Sequence, residues 1–304
     1  MNKIFFRNCF RRYLPENFQS YLKIQFQDKF LKDLRKDILK HFKNSSMNSN
    51  DPDVIDALNF LKRNPLHIYP HNFIKKYKSE NIVVHNEQKS NLNYVLTNHK
   101  KLFYPKGWNS ETVSYSHSFS CLEQDKQSPH CYFNHLNSFN KNDIVVDAGA
   151  AEGNFSLEII EKVKKVYLFE CSNAWQGPLK RTFEPWKEKI EIIPKKLSCV
   201  DNSEFISIDR FFQDKEPPTV FKIDVDGDEK NLLKGAKNTL KLSKRLNIAL
   251  CVYHKKNDEE EFKSILQGFG FKVYSSKGYM IFYPDEPLVK PYFRRGLIFG
   301  TKQT

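Results

Sequence analysis

The sequence predicts an α/β fold in which helices cover both faces of a mostly parallel β-sheet. From residue 144 onward, short apolar runs alternate with segments of helical periodicity, as in successive strand–helix–strand units. The three closing strand candidates have no helices between them, which favours an antiparallel finish to the sheet. With 39% hydrophobic residues, the chain can bury a sizeable core.

The individual elements follow from the spacing of the apolar residues. The predicted core strands span 144–146, 166–169, 190–193, 220–223, 248–252, 271–274, 279–282 and 297–299. The predicted core helices span 154–164, 175–186, 229–242 and 258–267. Upstream of the core, β-branched and aromatic runs at 82–84, 94–96 and 102–104 predict a small meander.

Residues 1–80 form a predicted N-terminal helical accessory segment. Apolar residues recur at three- and four-residue steps between 21 and 42, as on one face of a helix. After a break at 44–50, Asp51 can cap a second helix, Pro52 can occupy its first turn, and Pro65 ends it. The segment could serve packing or dimerisation, or it could dock a substrate or a membrane surface. Residues 81–304 form the second unit, with the meander and a lid-like segment preceding a core at 142–304.

Composition narrows the function classes only in part. The chain carries 49 Lys and Arg against 36 Asp and Glu, a formal charge of +13. Nucleic acid, an anionic membrane or phosphorylated ligand, and plain solubility all remain open as explanations. The six cysteines lack metal-site spacing, and no run reaches the ~18 apolar residues of a membrane span. Arg7, Arg11 and Arg12 interrupt the apolar residues of a possible signal peptide at Met1 to Phe10. We therefore expect a cytoplasmic protein that contacts a membrane at most peripherally.

A candidate cofactor site follows the first core strand. The strand runs into the sequence D-A-G-A-A-E-G at 147–153, and helical spacing begins at Asn154. Gly149 and Gly153 lack a Cβ, so a ligand could approach the backbone there, and the helix start offers N–H groups. Glycines at such a junction also serve as structural hinges, so this motif alone does not identify a ligand.

A second acidic position points to a nucleoside. Glu170 ends the next predicted strand, where its carboxylate could accept hydrogen bonds from both hydroxyls of a ribose. Dinucleotide-binding sheets carry an acid at this place too, but their G-x-G-x-x-G motif fails at Ala151. Asp147 would repel a pyrophosphate and would suit a ligand that bears an ammonium and a sulfonium. The residues therefore favour S-adenosylmethionine over a nicotinamide dinucleotide.

Several motifs in order carry a family resemblance. They are V-D-A-G-A-A-E-G-N-F at 146–155, F-K-I-D-V-D-G-D-E at 221–229 and L-L-K-G-A at 232–236, with shorter likenesses at 123–130 and 251–255. Together they resemble the FkbM family of methyltransferases, with Asp226 where Glu is commoner. The resemblance implies a Rossmann-like class I methyltransferase fold with a mostly parallel seven-stranded sheet and S-adenosylmethionine as methyl donor. It also implies O-methylation of a sugar hydroxyl or another small hydroxylated metabolite, as in surface polysaccharide pathways.

The candidate site residues fall into three groups. The predicted cofactor contacts are Asp147, Gly149, Ala150, Gly153, Asn154, Glu170, Cys171, Leu197 and Asp224. The predicted substrate contacts are Glu123, Asp125, His130 and His254, because the segment before the first core strand could fold over the pocket as a lid. Ser128-Pro129 in that segment could instead be a simple turn.

Asp224 and His254 end consecutive predicted strands and are the candidate catalytic residues. Either could be the base that takes a proton from the acceptor hydroxyl. Asp224 could instead cap the following helix, and His254 could be a solvent-facing loop residue. A divalent cation held by Asp224, Asp226 and His254 is a weaker possibility, since Asp226 could simply favour a helix N-terminus.

Two alternatives to a small-molecule methyltransferase stay open. The positive charge is compatible with an RNA methyltransferase. However, the sequence has no aromatic-basic RNA-binding strand and no N/D-P-P-Y/F motif of base methylation. A non-catalytic binding module that keeps the fold is the other alternative. The oligomeric state is open as well.

Overall fold

The computed structural model of the protein describes residues 19–44, 50–284 and 288–303. The predictions about Met1 to Phe10, and about most of the break at 44–50, lie outside these ranges. Within them, none of the helices is both long enough and apolar enough to cross a bilayer.

Two helices and a small antiparallel sheet precede the core. Helix α1 spans Gln19–Asn44 and α2 spans Pro52–Arg63, where the Asp51 carboxylate accepts a hydrogen bond from the Asp53 backbone N–H at 2.9 Å. The strands of the meander are β1 (His85–Glu87), β2 (Leu92–Thr97) and β3 (Lys100–Phe103). Helix α3, Ser110–Glu123, then leads toward the core.

The core is a seven-stranded sheet in the order β11-β12-β10-β9-β4-β5-β6. Its strands are β4 (Ile144–Ala148), β5 (Lys165–Phe169), β6 (Ile190–Ile193), β9 (Val220–Ile223), β10 (Arg245–Cys251), β11 (Lys272–Ser275) and β12 (Leu297–Gln303). Strand β12 is antiparallel to both of its neighbours, while the pairs among β10, β9, β4, β5 and β6 are parallel. A separate parallel pair consists of β7 (Lys196–Leu197) and β8 (Phe205–Ile206).

Helices cover both faces of this sheet. The core helices are α4 (Asn154–Ile159), α5 (Asn173–Thr182), α6 (Ile208–Phe211), α7 (Glu229–Lys234), α8 (Lys237–Leu242) and α9 (Asp258–Gly268). Alternate residues of β4 enter different apolar clusters: Val145 packs with α4 and α5, whereas Ile144 and Val146 pack with α6 to α9. The predicted fold class, a Rossmann-like, mostly parallel seven-stranded sheet between helices with an N-terminal helical segment, is confirmed.

The N-terminal helices pack against the connection between β11 and β12. A third apolar cluster joins side chains of α1 and α2 to this connection; its buried members are Leu34, Ile38, Val54, Ala57, Phe60, Leu61, Leu66, Ile281 and Phe293. Backbone contacts add to it, because the Ile281 N–H donates to the Ile68 carbonyl at 2.8 Å. The accessory segment therefore lies on the connection that leads to β12, the second strand from one edge of the sheet.

Several predicted elements differ from the structure; helix α4, for example, ends at Ile159 and not at 164. The strand expected at 82–84 lies at His85–Glu87 instead, because the turn that ends at Asn91 sets the register with β2. The run at 279–282 makes only an isolated bridge between Met280 and Arg294, since the N-terminal segment takes the Ile281 N–H. The helix expected at 229–242 is divided in two because the Asp209 carboxylate caps a new start at Asn238 and Thr239.

Helix α3 was not predicted from the sequence. Its buried residues include His117, Ser118 and Ser120, so the apolar periodicity that marks most surface helices is missing. One local signal was present, because Asn109 caps the helix by accepting the Thr112 N–H at 2.8 Å.

Candidate active site

The candidate site lies where the strand order reverses. The chain passes from β4 to β5 and β6 on one side and later places β9 on the other side of β4. In an open parallel sheet the crevice at the carboxyl ends of such strands is the usual ligand site. Gly149 follows β4 and Asp224 follows β9, so both residues stand at this switch point.

The glycine turn after β4 is shaped by the protein's own backbone. Gly149 has φ +75°, and a Cβ there would lie 1.8 Å from the Asp224 carbonyl oxygen. A Cβ on Gly153 would lie 2.9 Å from atoms of Leu179 and Phe183 in and after α5. Both glycines thus allow close packing within the protein. The sequence was compatible with a ligand contact or a structural hinge at these positions, and the described contacts are those of a structural role.

Glu170 stands at the end of β5 beside this turn. Its Oε2 accepts the Ala151 N–H at 2.9 Å and its Oε1 accepts the Ser172 N–H at 2.7 Å, so the carboxylate is fixed between two backbone segments. The neighbouring Cys171 is exposed and Ala151 is half-buried, so this end of β5 reaches solvent.

Asp147 is engaged by the protein itself. Its side chain is buried, with Oδ1 3.1 Å from Lys222 Nζ and Oδ2 accepting the Ser156 hydroxyl at 2.6 Å. Burial opposes the charge of Lys222, but Asp147 and Asp224 outweigh it and raise the lysine pKa above its ordinary value. The ion pair neutralises Asp147, so the argument that this residue repels a pyrophosphate loses its basis.

Asp224 is the centre of a buried polar cluster. Its two oxygens accept the hydroxyls of Tyr132 and Tyr253, each at 3.1 Å. His130 Nε2 lies 3.6 Å from Oδ2, and His254 Nε2 lies 3.8 Å from Oδ1. Sequence reasoning missed both tyrosines, because a single tyrosine carries no spacing signal.

His254 lies between two carboxylates. Its side chain is 3% exposed, with Nδ1 3.3 Å from Glu229 Oε1 and Nε2 facing Asp224, so it is not a solvent-facing loop residue. Burial opposes protonation, but Glu229, Asp224 and Asp226 outweigh it and raise the pKa of His254. Glu229 also accepts the Val225 and Gly227 N–H groups and so fixes the turn after β9.

The three residues considered for a divalent cation are not equally placed. Asp224 and His254 are buried together, whereas Asp226 is exposed and has φ +55°. The buried carboxylate that groups with Asp224 and His254 is Glu229.

The segment before β4 brings two of its three predicted substrate contacts to the cluster. His130 is 2% exposed and contacts Tyr132 and Cys251 as well as Asp224. Burial, together with repulsion from Asp224 and Glu152, raises the pKa of Glu123, whose carboxylate accepts the Tyr69 hydroxyl at 3.1 Å.

The third predicted contact has a different role. Asp125 accepts the Tyr77 hydroxyl at 2.7 Å and the Gln127 N–H at 2.7 Å, so its carboxylate holds the lid-like segment on the residues that follow α2. Ser128 Oγ accepts the His130 N–H at 3.1 Å, which is the turn considered for Ser128-Pro129. Neither residue is among the side chains that contact Asp224.

The other predicted cofactor positions make contacts that stabilise the fold itself. Leu197 belongs to the apolar cluster beneath α7 and α8, and Asn154 accepts the N–H of Phe155 at 2.6 Å where α4 begins. The Ala150 N–H donates to the Phe169 carbonyl at 3.2 Å, which closes the turn against β5. Trp175 packs against Trp108 and Tyr104 in the core.

The chain was compared with known families and structures. No protein-family model and no curated protein matches it. A solved methyltransferase FkbM from Methylobacillus flagellatus is similar at 17% identity and a TM-score of 0.43, covering 63% of this chain and 54% of that one. An rRNA methylase from Streptococcus thermophilus is similar at 18% identity and a TM-score of 0.39, covering 55% of this chain and 91% of that one.

A third similar structure, from Streptococcus mutans, is described as a proposed methyltransferase in complex with SAH. It is 18% identical, with a TM-score of 0.37, and the match covers 55% of this chain and 92% of that one. The resemblance seen in the sequence motifs thus has a counterpart among solved structures, although the chain spans about half the length of the FkbM protein. With TM-scores below 0.5, these similarities indicate nothing about activity. The fold is identified from the strand order of the sheet.

Proposed function

We propose that the protein is an S-adenosylmethionine-dependent methyltransferase that methylates a hydroxyl of a sugar or another small hydroxylated metabolite. The observation that carries this proposal is the Glu170 carboxylate, held by the Ala151 and Ser172 N–H groups at the carboxyl end of β5, beside the turn after β4. A carboxylate fixed at this place can accept both hydroxyls of a ribose. The family resemblance of the sequence motifs supports the same cofactor.

The charges around the crevice favour a cationic ligand. Asp147 is neutralised by Lys222, but Glu123, Glu152 and Asp224 lie close enough for the last two to raise the pKa of the first. A ligand with an ammonium and a sulfonium would relieve this repulsion, whereas a pyrophosphate would add to it. Asp224 also interacts with Lys222 and His254, so Glu123 and Glu152 replace Asp147 in the electrostatic argument for S-adenosylmethionine.

Bound there, S-adenosylmethionine would supply a methyl group on a positively charged sulfur, which the acceptor oxygen displaces. The protein must hold that oxygen in line with the methyl and receive its proton. We assign these tasks to Asp224 and His254, with Glu123 and His130 holding the acceptor. Because the pKa of His254 is raised, its neutral form requires a higher pH than an ordinary histidine, and methyl transfer that uses it as the base should rise with pH.

Calorimetry with S-adenosylmethionine tests the cofactor assignment. We expect saturable binding by the wild-type chain and its loss in Glu170→Ala. Glu191→Ala removes an exposed glutamate from the neighbouring strand β6 and should leave the affinity unchanged. No heat from the wild-type chain at millimolar cofactor would overturn the proposal and favour a non-catalytic module.

A further inference from the structure

Three consecutive residues before β12 connect the candidate site to the N-terminal helices. Arg294, Arg295 and Gly296 each contact a different part of the protein, and we call them the 294–296 hub. The backbone of the hub is itself fixed: Arg294 exchanges hydrogen bonds with Met280 in both directions, and the Gly296 carbonyl accepts the Val252 N–H at 3.1 Å.

Arg294 holds the backbone that carries His254. Its Nη1 donates to the Tyr253 carbonyl at 2.7 Å and to the His254 carbonyl at 2.6 Å, and the side chain is buried. Charged donors make stronger hydrogen bonds than neutral ones, so these two contacts fix the backbone that follows β10. A shift of Arg294 would therefore move the His254 ring relative to Asp224.

Arg295 holds the hub on helix α2. Its guanidinium pairs with the Asp53 carboxylate and lies 3.2 Å from Asp51 Oδ2. The Tyr279 ring stacks on the guanidinium, and the distance from its centroid to Arg295 Cζ is 3.9 Å. The Tyr279 hydroxyl donates to Asp51 at 2.8 Å. Asp53 also accepts the Gly278 N–H at 2.9 Å, so both carboxylates bind the connection between β11 and β12.

Gly296 adds a contact with the lid-like segment. A Cβ at this position would lie 2.3 Å from the Pro129 carbonyl oxygen and 3.1 Å from the His130 N, so the two backbones touch. The hub thus contacts the segments that carry His130 and His254, the two histidines that face Asp224.

We infer that Arg295 is a positioning residue, whose ion pairs with Asp51 and Asp53 of the N-terminal segment set the place of His254 through the neighbouring Arg294. This assigns a role to the helical segment that the sequence left open. The inference rests on the proposed function only in giving His254 a part in catalysis; the geometric claim stands separately.

Nuclear magnetic resonance of the full chain with carbon-13-labelled histidine tests the inference. The His254 ring signal is assigned by its disappearance in His254→Gln. We expect Arg295→Ala and Asp53→Asn to shift or broaden this signal, and Arg295→Lys to bring it back part of the way. Asp53→Asn is the milder change and decides the outcome if Arg295→Ala does not fold.

Arg181→Ala is the matched control, because Arg181 forms a bidentate ion pair with Glu87. Both substitutions therefore remove an arginine that is paired with carboxylate oxygens. It should lower the unfolding temperature and leave the His254 signal in place. An unmoved signal in folded Arg295→Ala or Asp53→Asn, or an equal shift in Arg181→Ala, would overturn the inference. Absence of S-adenosylmethionine binding would overturn the proposed function but would not change this comparison.

Discussion

The ammonium nitrogen of Lys222 lies 3.1 Å from Oδ1 of Asp147, and both side chains are at most 5% exposed. The two residues are direct partners in the register of β4 and β9. Lys222 also donates to the Gly149 carbonyl at 2.6 Å, so one buried cation holds together the strand end and the turn that follows it. The turn at the switch point therefore depends on an ion pair inside the sheet.

Lys222→Met should lower the free energy of unfolding by about 3–5 kcal/mol, because it leaves the charge of Asp147 buried and unpaired. Chemical denaturation measures the loss. Lys164→Met is the control, since Lys164 and Glu216 form a pair that is about half exposed, and its removal should cost less than about 1 kcal/mol. Equal losses in the two variants would contradict a structural role for the buried pair.

Gly149→Ala should destabilise the protein by at least about 2 kcal/mol, because the new Cβ would overlap the Asp224 carbonyl oxygen at a positive φ. Gly177→Ala, in helix α5 with open space around it, should instead stabilise by about 0.5–1 kcal/mol. Thermal and chemical unfolding of both variants check the contrast. A tolerated alanine at 149 would show that the turn can move away from Asp224.

His254 should make stability depend on pH. Burial works against its protonation, but Glu229 and Asp224 prevail and raise its folded pKa. A raised folded pKa means that the stabilisation is complete below the unfolded value of about 6.5 and is lost as pH rises through the folded pKa. The stability difference between wild type and His254→Gln should therefore shrink as pH rises above about 6.5.

Urea unfolding at several pH values measures this difference. His99→Asn changes an exposed histidine and should leave the pH dependence of the wild type intact. A difference that stayed constant across the range would mean that the two carboxylates do not stabilise the protonated form of His254.

RNA should not compete with small molecules for this protein. We expect labelled oligoribonucleotides to bind weakly at physiological salt, because the lysine-rich surface offers only general electrostatic attraction. Titrations at increasing salt measure both the affinity and its slope. Submicromolar binding with a steep salt slope, accompanied by methyl transfer to the RNA, would contradict a small-molecule acceptor and support the RNA alternative.

The sheet could be predicted because its central strands are continuous apolar runs that end in polar residues. The same reasoning predicted that Asp224 and His254 lie at one edge of the sheet, whereas His130 was predicted separately, as part of a lid-like segment before the first core strand. The pairing of Asp147 with Lys222 could not be predicted, because it requires β9 to lie beside β4. The spacing of apolar residues predicts the strands but not their order in the sheet.

The surroundings of the site residues could not be predicted from the sequence either. His254 is followed by two lysines, which indicated a solvent-facing position as readily as a buried one. Its ring faces Glu229, six residues after the end of β9, and its backbone carbonyl accepts a hydrogen bond from Arg294 in the loop before β12. Such contacts join parts of the chain separated by 25 residues or more, and no local pattern reports them.

Strand β12 fills a gap between β10 and β11, and β11 pairs with no other strand of the sheet. A ribosome makes β12 after both of them, so a growing chain carries an uncovered β10 edge with apolar Leu246, Ile248 and Leu250 until the final strand emerges. Such an edge is a template for pairing with other chains. A chain in which β12 has yet to pair with β10 should therefore aggregate more readily than the folded protein.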